Sequence, residues 1–344
     1  MTITKASCAI DLRQDFVSEI TSVLMPLIDG HSDHVCLIDP PGYANVGDSA
    51  ILLGELKFLN QHFPKSRLSF FDIENHSAAC DGYIAKSSII LLQGGGNFGD
   101  LWPRHHEFRL NILRKFPDKR IIQLPQSISL TNPENIRKTA EAIASHNDFH
   151  LVVRDRTSFG FAKANFLCET HICPDMAFYT DLGTRSAATL DCFSLLRRDK
   201  EVVADHDGIK SVVSRLFPHS SACGDWVTKS HTILGRFDER LTRYSSDHPQ
   251  TMWALMTVVV KARQAYAQQR LNFGVTMLCR GNVIVTDRLH AHILCCILGI
   301  DHFVFDSVDQ KVSSMYKTWT YRSPNACFVE SSQELYYKLK QFVN

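Results

Sequence analysis

From residue 35 to residue 174 the chain alternates short β-rich apolar runs with helical patterns: VCLID, SAILLGELKFLNQHF, RLSFFDI, SIILLQ, HEFRLNILRKF, RIIQLP, PENIRKTAEAIASHN, FHLVVRD, TSFGFAKANF and THICP in turn. Strand and helix at this spacing predict βαβ units, hence a parallel sheet with helices on both faces. Such a sheet binds ligands beyond the carboxyl ends of its strands. Function is therefore to be sought in the turns that follow each apolar run.

A second unit of the same kind follows. The small, polar stretch DLGTRSAATLD at 181–191 reads as a linker, and CFSLLRRDKEVV opens a new strand-like run. Beyond it stand a long helix near 249–271, the strand NVIVTD, the helix RLHAHILCCILG, the strand HFVFD and a closing helix in SSQELYYKLKQFV. Residues 201–245 carry no clear pattern. The expected organisation is a first domain over 1–185, a second over 190–325 and a C-terminal helix over 330–344. A chain of 344 residues has room for two domains.

Composition narrows the partners. With 37 Lys and Arg against 36 Asp and Glu the formal charge is +1, so no basic field calls for nucleic acid, and an anionic ligand has to be met by a local cluster. The 11 cysteines include no C-x-x-C pair and fit a reduced, cytoplasmic protein that uses Cys in its core. MTITKASCAIDLRQDF has no apolar signal segment, and the longest apolar run, near MWALMTVVV, is about half a bilayer span. Peripheral contact with the inner face of a membrane stays compatible with this composition.

Two turns share a grammar. LLQGGGNFGDLW leads from a strand into Gly94, Gly95, Gly96, Asn97, Gly99 and Asp100, placing four glycines within six positions. Glycines there let the backbone adopt positive φ and bring N–H groups close to an anion or a sugar hydroxyl. PGYANVGDSAI offers Asn45, Gly47 and Asp48 at a helix start, with Asp48 a candidate N-cap. The glycine run has neither dinucleotide-fold nor P-loop spacing.

The segment VIVTDRLHAHILCCILG is the sharpest. With Asp287 as N-cap, Arg288 and His290 fall in a helix's first turn, where free N–H groups and the dipole favour a phosphate. Ile293, Leu294, Ile297 and Leu298 form the buried stripe, leaving His292 a partly exposed neighbour. Arg154 and Lys311 likewise stand just after strands.

Taken in order, NVGDSAI, LLQGGGNFGDLW, QLPQSI, RDRTS, PDMAF, LLRRDKE and VTDRLHAHILCCILGIDHFVFDS, followed by Lys311 and YKTW, resemble the polysaccharide pyruvyl transferase family over about residues 40–320. The resemblance implies two Rossmann-like domains facing a cleft, similar to the GT-B arrangement, and an enzyme that moves the enolpyruvyl unit of phosphoenolpyruvate onto a sugar of an exopolysaccharide, capsule or cell-wall repeat, usually as a ketal. By position Arg154, His290 and Lys311 match the donor-site basic residues, and Arg288 and Leu289 complete the R-L-H motif. Met176 and Ala177 depart from the family's usual small residue and Pro near PDMAF.

The residues suit that donor, whose carboxylate and phosphate carry nearly three negative charges. His290 is the first choice for general acid and then base. Asp48, Asp100 and Asp175 are candidates on the acceptor side, where the glycine-rich rim would meet a glycan or a lipid-linked oligosaccharide. The reading calls for no metal and no cofactor besides the donor. Its rivals are a GT-B-like glycosyltransferase using a nucleotide sugar, and a non-catalytic scaffold of a polysaccharide assembly complex.

Overall fold

The computed structural model describes residues 3–199, 201–202, 204–227 and 232–343; Lys200 of the LLRRDKE motif lies outside them. The first half holds strands β1 (His34–Ile38), β2 (Arg67–Phe71), β3 (Ile89–Leu92), β4 (Gly95–Gly99), β5 (Ile121–Ser129), β6 (Phe149–Val153) and β7 (Glu169–Ile172). Its helices are α1 (Ile3–Ile28), α2 (Val46–His62), α3 (Asp81–Ile84), α4 (Pro103–Lys115), α5 (Pro133–Ala144) and α6 (Arg156–Asn165). The second half holds β8 (Leu190–Leu195), β9 (Ser221–Gly224), β10 (Gly281–Thr286), β11 (Asp301–Val304) and β12 (Ala326–Phe328). Between and after these strands run α7 (His206–Leu216), α8 (Ile233–Asp247), α9 (Pro249–Ala254), α10 (Met256–Leu278), α11 (Leu289–Leu298), α12 (Lys311–Thr318) and α13 (Ser332–Val343).

Both sheets are parallel throughout, as the alternation requires. The first runs β2-β1-β3-β5-β6-β7 and the second β12-β11-β10-β8-β9. β4 continues the line of β3 along β5, pairing at Gln126–Ser129 where β3 pairs at Ile121–Gln123. The first sheet reverses its order between β1 and β3, and the second between β8 and β10. These are the crevices where doubly wound sheets take ligands.

Strand alternation sorts the cores. On β10, Val283 and Val285 face a smaller cluster with Ile209, Val213, Leu335 and Leu339 of α7 and α13, whereas Ile284 faces the main core. That main core is continuous from the first sheet to Phe193, Leu195 and Val304 of the second. α10 is part of the reason. It follows the expected boundary at 185–190 but packs on the first half: Val46 of α2 occupies the space a Cβ on Gly274 would need, and Arg263 donates to Asp72 Oδ2 at 2.9 Å and to the Pro40 carbonyl at 2.8 Å.

The helix expected near 249–271 is two, α9 and α10, and the unreadable 201–245 contains α7, β9 and α8. His292, expected at the edge, is fully buried. It joins a hydrogen-bonded relay: Thr320 Oγ1 lies 2.6 Å from His292 Nε2, His292 Nδ1 lies 2.7 Å from His302 Nε2, and His302 Nδ1 lies 2.8 Å from the Ile300 carbonyl. One tautomer satisfies every link: His302 donates to Ile300, His292 to His302, and Thr320 to His292. Burial holds His302 down at about 4 and His292 well below the ordinary histidine range. The neutral relay fixes α11 against β11, and α11 carries His290.

Candidate active site

Asn45, not Asp48, caps α2: its Oδ1 accepts from Gly47 N at 3.0 Å and its Nδ2 donates to Asp48 Oδ2 at 2.7 Å. Asp48 is thereby held in the first turn. A Cβ on Gly47 would stand 2.2 Å from His290 Nδ1, so the starts of α2 and α11 meet at this glycine.

The glycine run divides its work. Gly94 N donates to Glu55 Oε1 at 3.0 Å, and burial pushes the Glu55 carboxyl well above its ordinary range. Gly95 takes φ of 127° and Gly99 147°, and a Cβ on Gly99 would collide with the Ser129 carbonyl of the neighbouring strand. These three glycines join β3 to β4 against α2 and β5. Gly96 leaves room for Arg154, whose Nη2 would lie 3.1 Å from a Cβ there. Asn97 accepts from Arg109 Nη2 at 2.8 Å.

Arg154 leaves the end of β6 buried and doubly held, donating Nε to Ser127 Oγ at 2.8 Å and Nη1 to Asp175 Oδ2 at 2.6 Å. Asp175 is fully buried, accepts from Ala177 N at 2.7 Å and lies 3.6 Å from His290 Nε2. Burial alone would raise its carboxyl; Arg154, then His290 and the Ala177 N–H, outweigh that and hold it well below the carboxylate range. Asp175 thus orients both Arg154 and His290 from behind.

From the second sheet come Arg197, Asp199 and Glu201 after β8, Asp225 and Trp226 after β9, and Arg288 after β10. Arg288 binds Asp225 bidentately, Nε to Oδ1 at 2.7 Å and Nη2 to Oδ2 at 2.8 Å, and reaches Asp199 at 3.3 Å. Lys311 Nζ pairs with Glu201 and, at 3.3 Å, with Asp309, and Arg197 bridges Asp199 and Glu201. The helix start differs from expectation: Arg288 occupies the N-cap with extended backbone and no side-chain cap, because the Asp287 carboxylate is taken by Arg197 N at 2.9 Å and His206 Nε2 at 2.7 Å.

These side chains surround one cavity of about 420 Å³ that unites Asn45, Asp48, Gly96, Asn97, Arg154, Arg288, Leu289, His290 and Lys311. Five of the expected residues do not line it. Gly47 and Asp175 stand behind His290 and Arg154; Gly94 and Gly95 form the strand break. Asp100 is a loop cap, accepting from Thr131 N at 2.6 Å, Asn132 N at 2.9 Å and Asn135 Nδ2 at 2.6 Å, and those bonds lower its carboxyl against the opposing effect of burial.

The cavity also has walls at residues not singled out from the sequence: Tyr43, Trp102, His105, Arg197, Asp199, Glu201, Trp226 and Val227. Two buried donors among its lining residues, Arg197 Nη1 and Trp226 Nε1, have no hydrogen-bond partner among the described residues. Buried donors are rarely left so unless a ligand, an ion or water completes them. On the first-sheet side His105 Nδ1 lies 2.7 Å from Asp39 Oδ2, and Asp39 follows β1 with φ of 64°, a strained backbone for a non-glycine. The available clue was position: Trp102 closes the glycine motif and Arg197 sits inside LLRRDKE.

A family model described as polysaccharide pyruvyl transferase matches residues 45–262. A putative pyruvyl transferase, EpsO, of Bacillus subtilis (strain 168) is 26% identical over 328 residues, covering 91% of this chain and 93% of that protein. Pyruvyl transferase 1 of Schizosaccharomyces pombe is 28% identical over 305 residues, covering 83% of this chain and 69% of its own length. A crystal structure of an uncharacterised protein from Klebsiella pneumoniae shares the fold, with a TM-score of 0.59 at 18% identity over 92% of this chain and 99% of the other.

Proposed function

Because the chain belongs to the polysaccharide pyruvyl transferase family, we propose that it moves the enolpyruvyl unit of phosphoenolpyruvate onto a sugar of a bacterial polysaccharide repeat, closing a pyruvate ketal inside the 420 Å³ cavity. The observation that carries this reading is the pair of unpartnered buried nitrogens on Arg197 and Trp226 beside His290, Arg288, Lys311 and Arg154. A neutral protein has gathered donors where a ligand with nearly three negative charges could satisfy them. The two sheets act as GT-B-like lobes, and the reaction runs on the cytoplasmic side.

In this mechanism Arg197, Arg288 and Lys311 take the phosphate and Arg154 the carboxylate. His290, fixed by Gly47 and Asp175, donates its proton to C3, turning the vinyl methylene into a methyl and leaving C2 as an oxocarbenium ion. A sugar hydroxyl adds to C2 and releases its proton. Phosphate then departs with the C2–O electron pair, and a second hydroxyl closes the ketal. One of the two hydroxyl protons restores His290 and the other leaves on phosphate. Tyr43 and Trp102, each about two-fifths exposed, offer faces for a sugar ring, with Asp48 and His105 near its hydroxyls.

Thermal unfolding with ligands tests the donor. Phosphoenolpyruvate at about 100 times its Kd should stabilise the protein by about 2.7 kcal/mol, since only a ligand of the native state raises Tm. UDP or GDP should have no effect. Stabilisation by a nucleoside diphosphate and not by phosphoenolpyruvate would replace this reading with sugar transfer from a nucleotide donor.

A further inference from the structure

Helix α8 turns large apolar side chains outward. Thr232 caps it, its Oγ1 accepting from Gly235 N at 3.1 Å. Its inner seam is polar and tied down: Asp238 pairs with Arg263, Thr242 Oγ1 accepts from Arg263 Nη2 at 2.9 Å, and Gly235 lies against the Tyr266 ring. With 3.6 residues per turn, Ile233, Phe237, Arg240 and Tyr244 fall opposite that seam. Ile233 is 79% exposed, Phe237 50% and Tyr244 47%. Arg236, Arg240 and Arg243 are exposed beside this ridge. Arg243 pairs with Glu239 at 3.0 Å, whereas Arg236 and Arg240 have no carboxylate partner among the described residues.

An apolar ridge flanked by unneutralised arginines is the pattern of a helix that lies in a membrane interface. No described helix is long and apolar enough to cross a membrane, so the contact would be peripheral. Position supports the same occupant. Residues on the opposite side of α8 line a second cavity of about 410 Å³, which shares Tyr43 and His105 with the reaction cavity.

We propose that the outer face of α8 docks on an anionic phospholipid bilayer, holding the cavity that α8 lines from its other side close to the membrane surface. A lipid-linked oligosaccharide could then present its sugar without leaving the bilayer. That purpose rests on the function proposed above; the bilayer contact does not.

The test is sedimentation of the full-length protein with vesicles of phosphatidylglycerol and phosphatidylethanolamine, against vesicles of phosphatidylcholine alone. Binding should favour the anionic vesicles and weaken with salt. Arg236→Gln and Arg240→Gln, each removing one positive charge, should each lower the partition coefficient about fivefold. Ile233→Ser with Phe237→Ser should lower it at least as far. Phosphate release from phosphoenolpyruvate with a soluble sugar acceptor should stay at the wild-type rate in all three variants, which separates failure of the surface from failure of the chemistry. Equal sedimentation with both vesicle types, or variants that bind like wild type, would overturn the proposal. So would a dimer in light scattering that Phe237→Ser dissolves while no vesicle is bound.

Discussion

The contact between Gly47 and His290 sets up a decisive perturbation, Gly47→Ala. The added methyl would stand 2.2 Å from Nδ1, 2.5 Å from Cγ and 2.9 Å from Cβ of His290, where ordinary contact begins at 3.4 Å. The ring must therefore retreat by 3.4 − 2.2, about 1.2 Å. Turning the side chain does not suffice, since the His290 Cβ itself is about 0.5 Å too close (3.4 − 2.9) and the first turn of α11 has to shift. A misplacement of about 1 Å in a reacting group can cost about 10²-fold, or about 2.7 kcal/mol in the barrier. The overpacking itself should cost about 1–3 kcal/mol of stability. Arg288 and Lys311 are held by Asp225 and Glu201 on the other side of the cavity, so KM for phosphoenolpyruvate should change little. Steady-state phosphate release at varied donor concentration, with a thermal melt on the same sample, measures both effects. A Gly47→Ala enzyme whose kcat stays within about threefold of wild type would refute the role given to His290, because the expected loss is about a hundredfold.

Asp175→Asn removes the carboxylate from a buried pair and leaves Arg154 charged without it, so urea unfolding at pH 7 should show a loss of about 3–5 kcal/mol; a loss below about 1 kcal/mol would contradict the burial argument. Wild-type Asp175 has a depressed folded pKa, so its contribution is complete above the unfolded value of about 3.9 and disappears only as pH falls through the lower folded one. His106 and His302 are both held by burial at about 4. Between about pH 6.5 and 4 the unfolded chain binds protons that the folded one refuses, so unfolding free energy should fall by about 1.4 kcal/mol per pH unit for each histidine; a flat profile would contradict it. Arg263→Ala should expose the opposite sign. Burial already raises the Asp238 carboxyl, and without Arg263 to oppose it the buried charge is costly above its pKa and relieved by protonation. Destabilisation should therefore grow from about pH 4 to pH 8, measured by urea unfolding at each pH, with a cost of about 3–5 kcal/mol at the upper end.

The sheets and the basic core of the site were legible in the sequence because both depend on short-range grammar. Short continuous apolar runs marked the strands, and the turns after β1, β6 and β10 carried Asn45, Arg154 and Arg288 into the cavity. What escaped depends on partners distant in the chain. Asp287 looked like a helix cap, but its carboxylate is claimed by residues 197 and 206. Asp100 reads as a candidate for the acceptor side, yet it satisfies backbone donors at 131 and 132. His105 and Asp39, 66 residues apart, belong to no shared motif. His292 was misjudged because a polar residue on a buried face needs partners, and His302 and Thr320 supply them. α8 gave no clear pattern because it buries Asp238 and Thr242 and exposes Ile233 and Phe237, the reverse of an ordinary surface helix.

The central claim is that His290 passes a proton to C3 of phosphoenolpyruvate as the pyruvyl group moves to sugar. The most direct measurement is an NMR spectrum of the saccharide product formed from phosphoenolpyruvate in D2O. The account predicts a ketal methyl carrying one deuterium, one phosphate released per ketal formed, and no product with His290→Ala. A product that keeps its vinyl group, or a methyl free of deuterium, would contradict it.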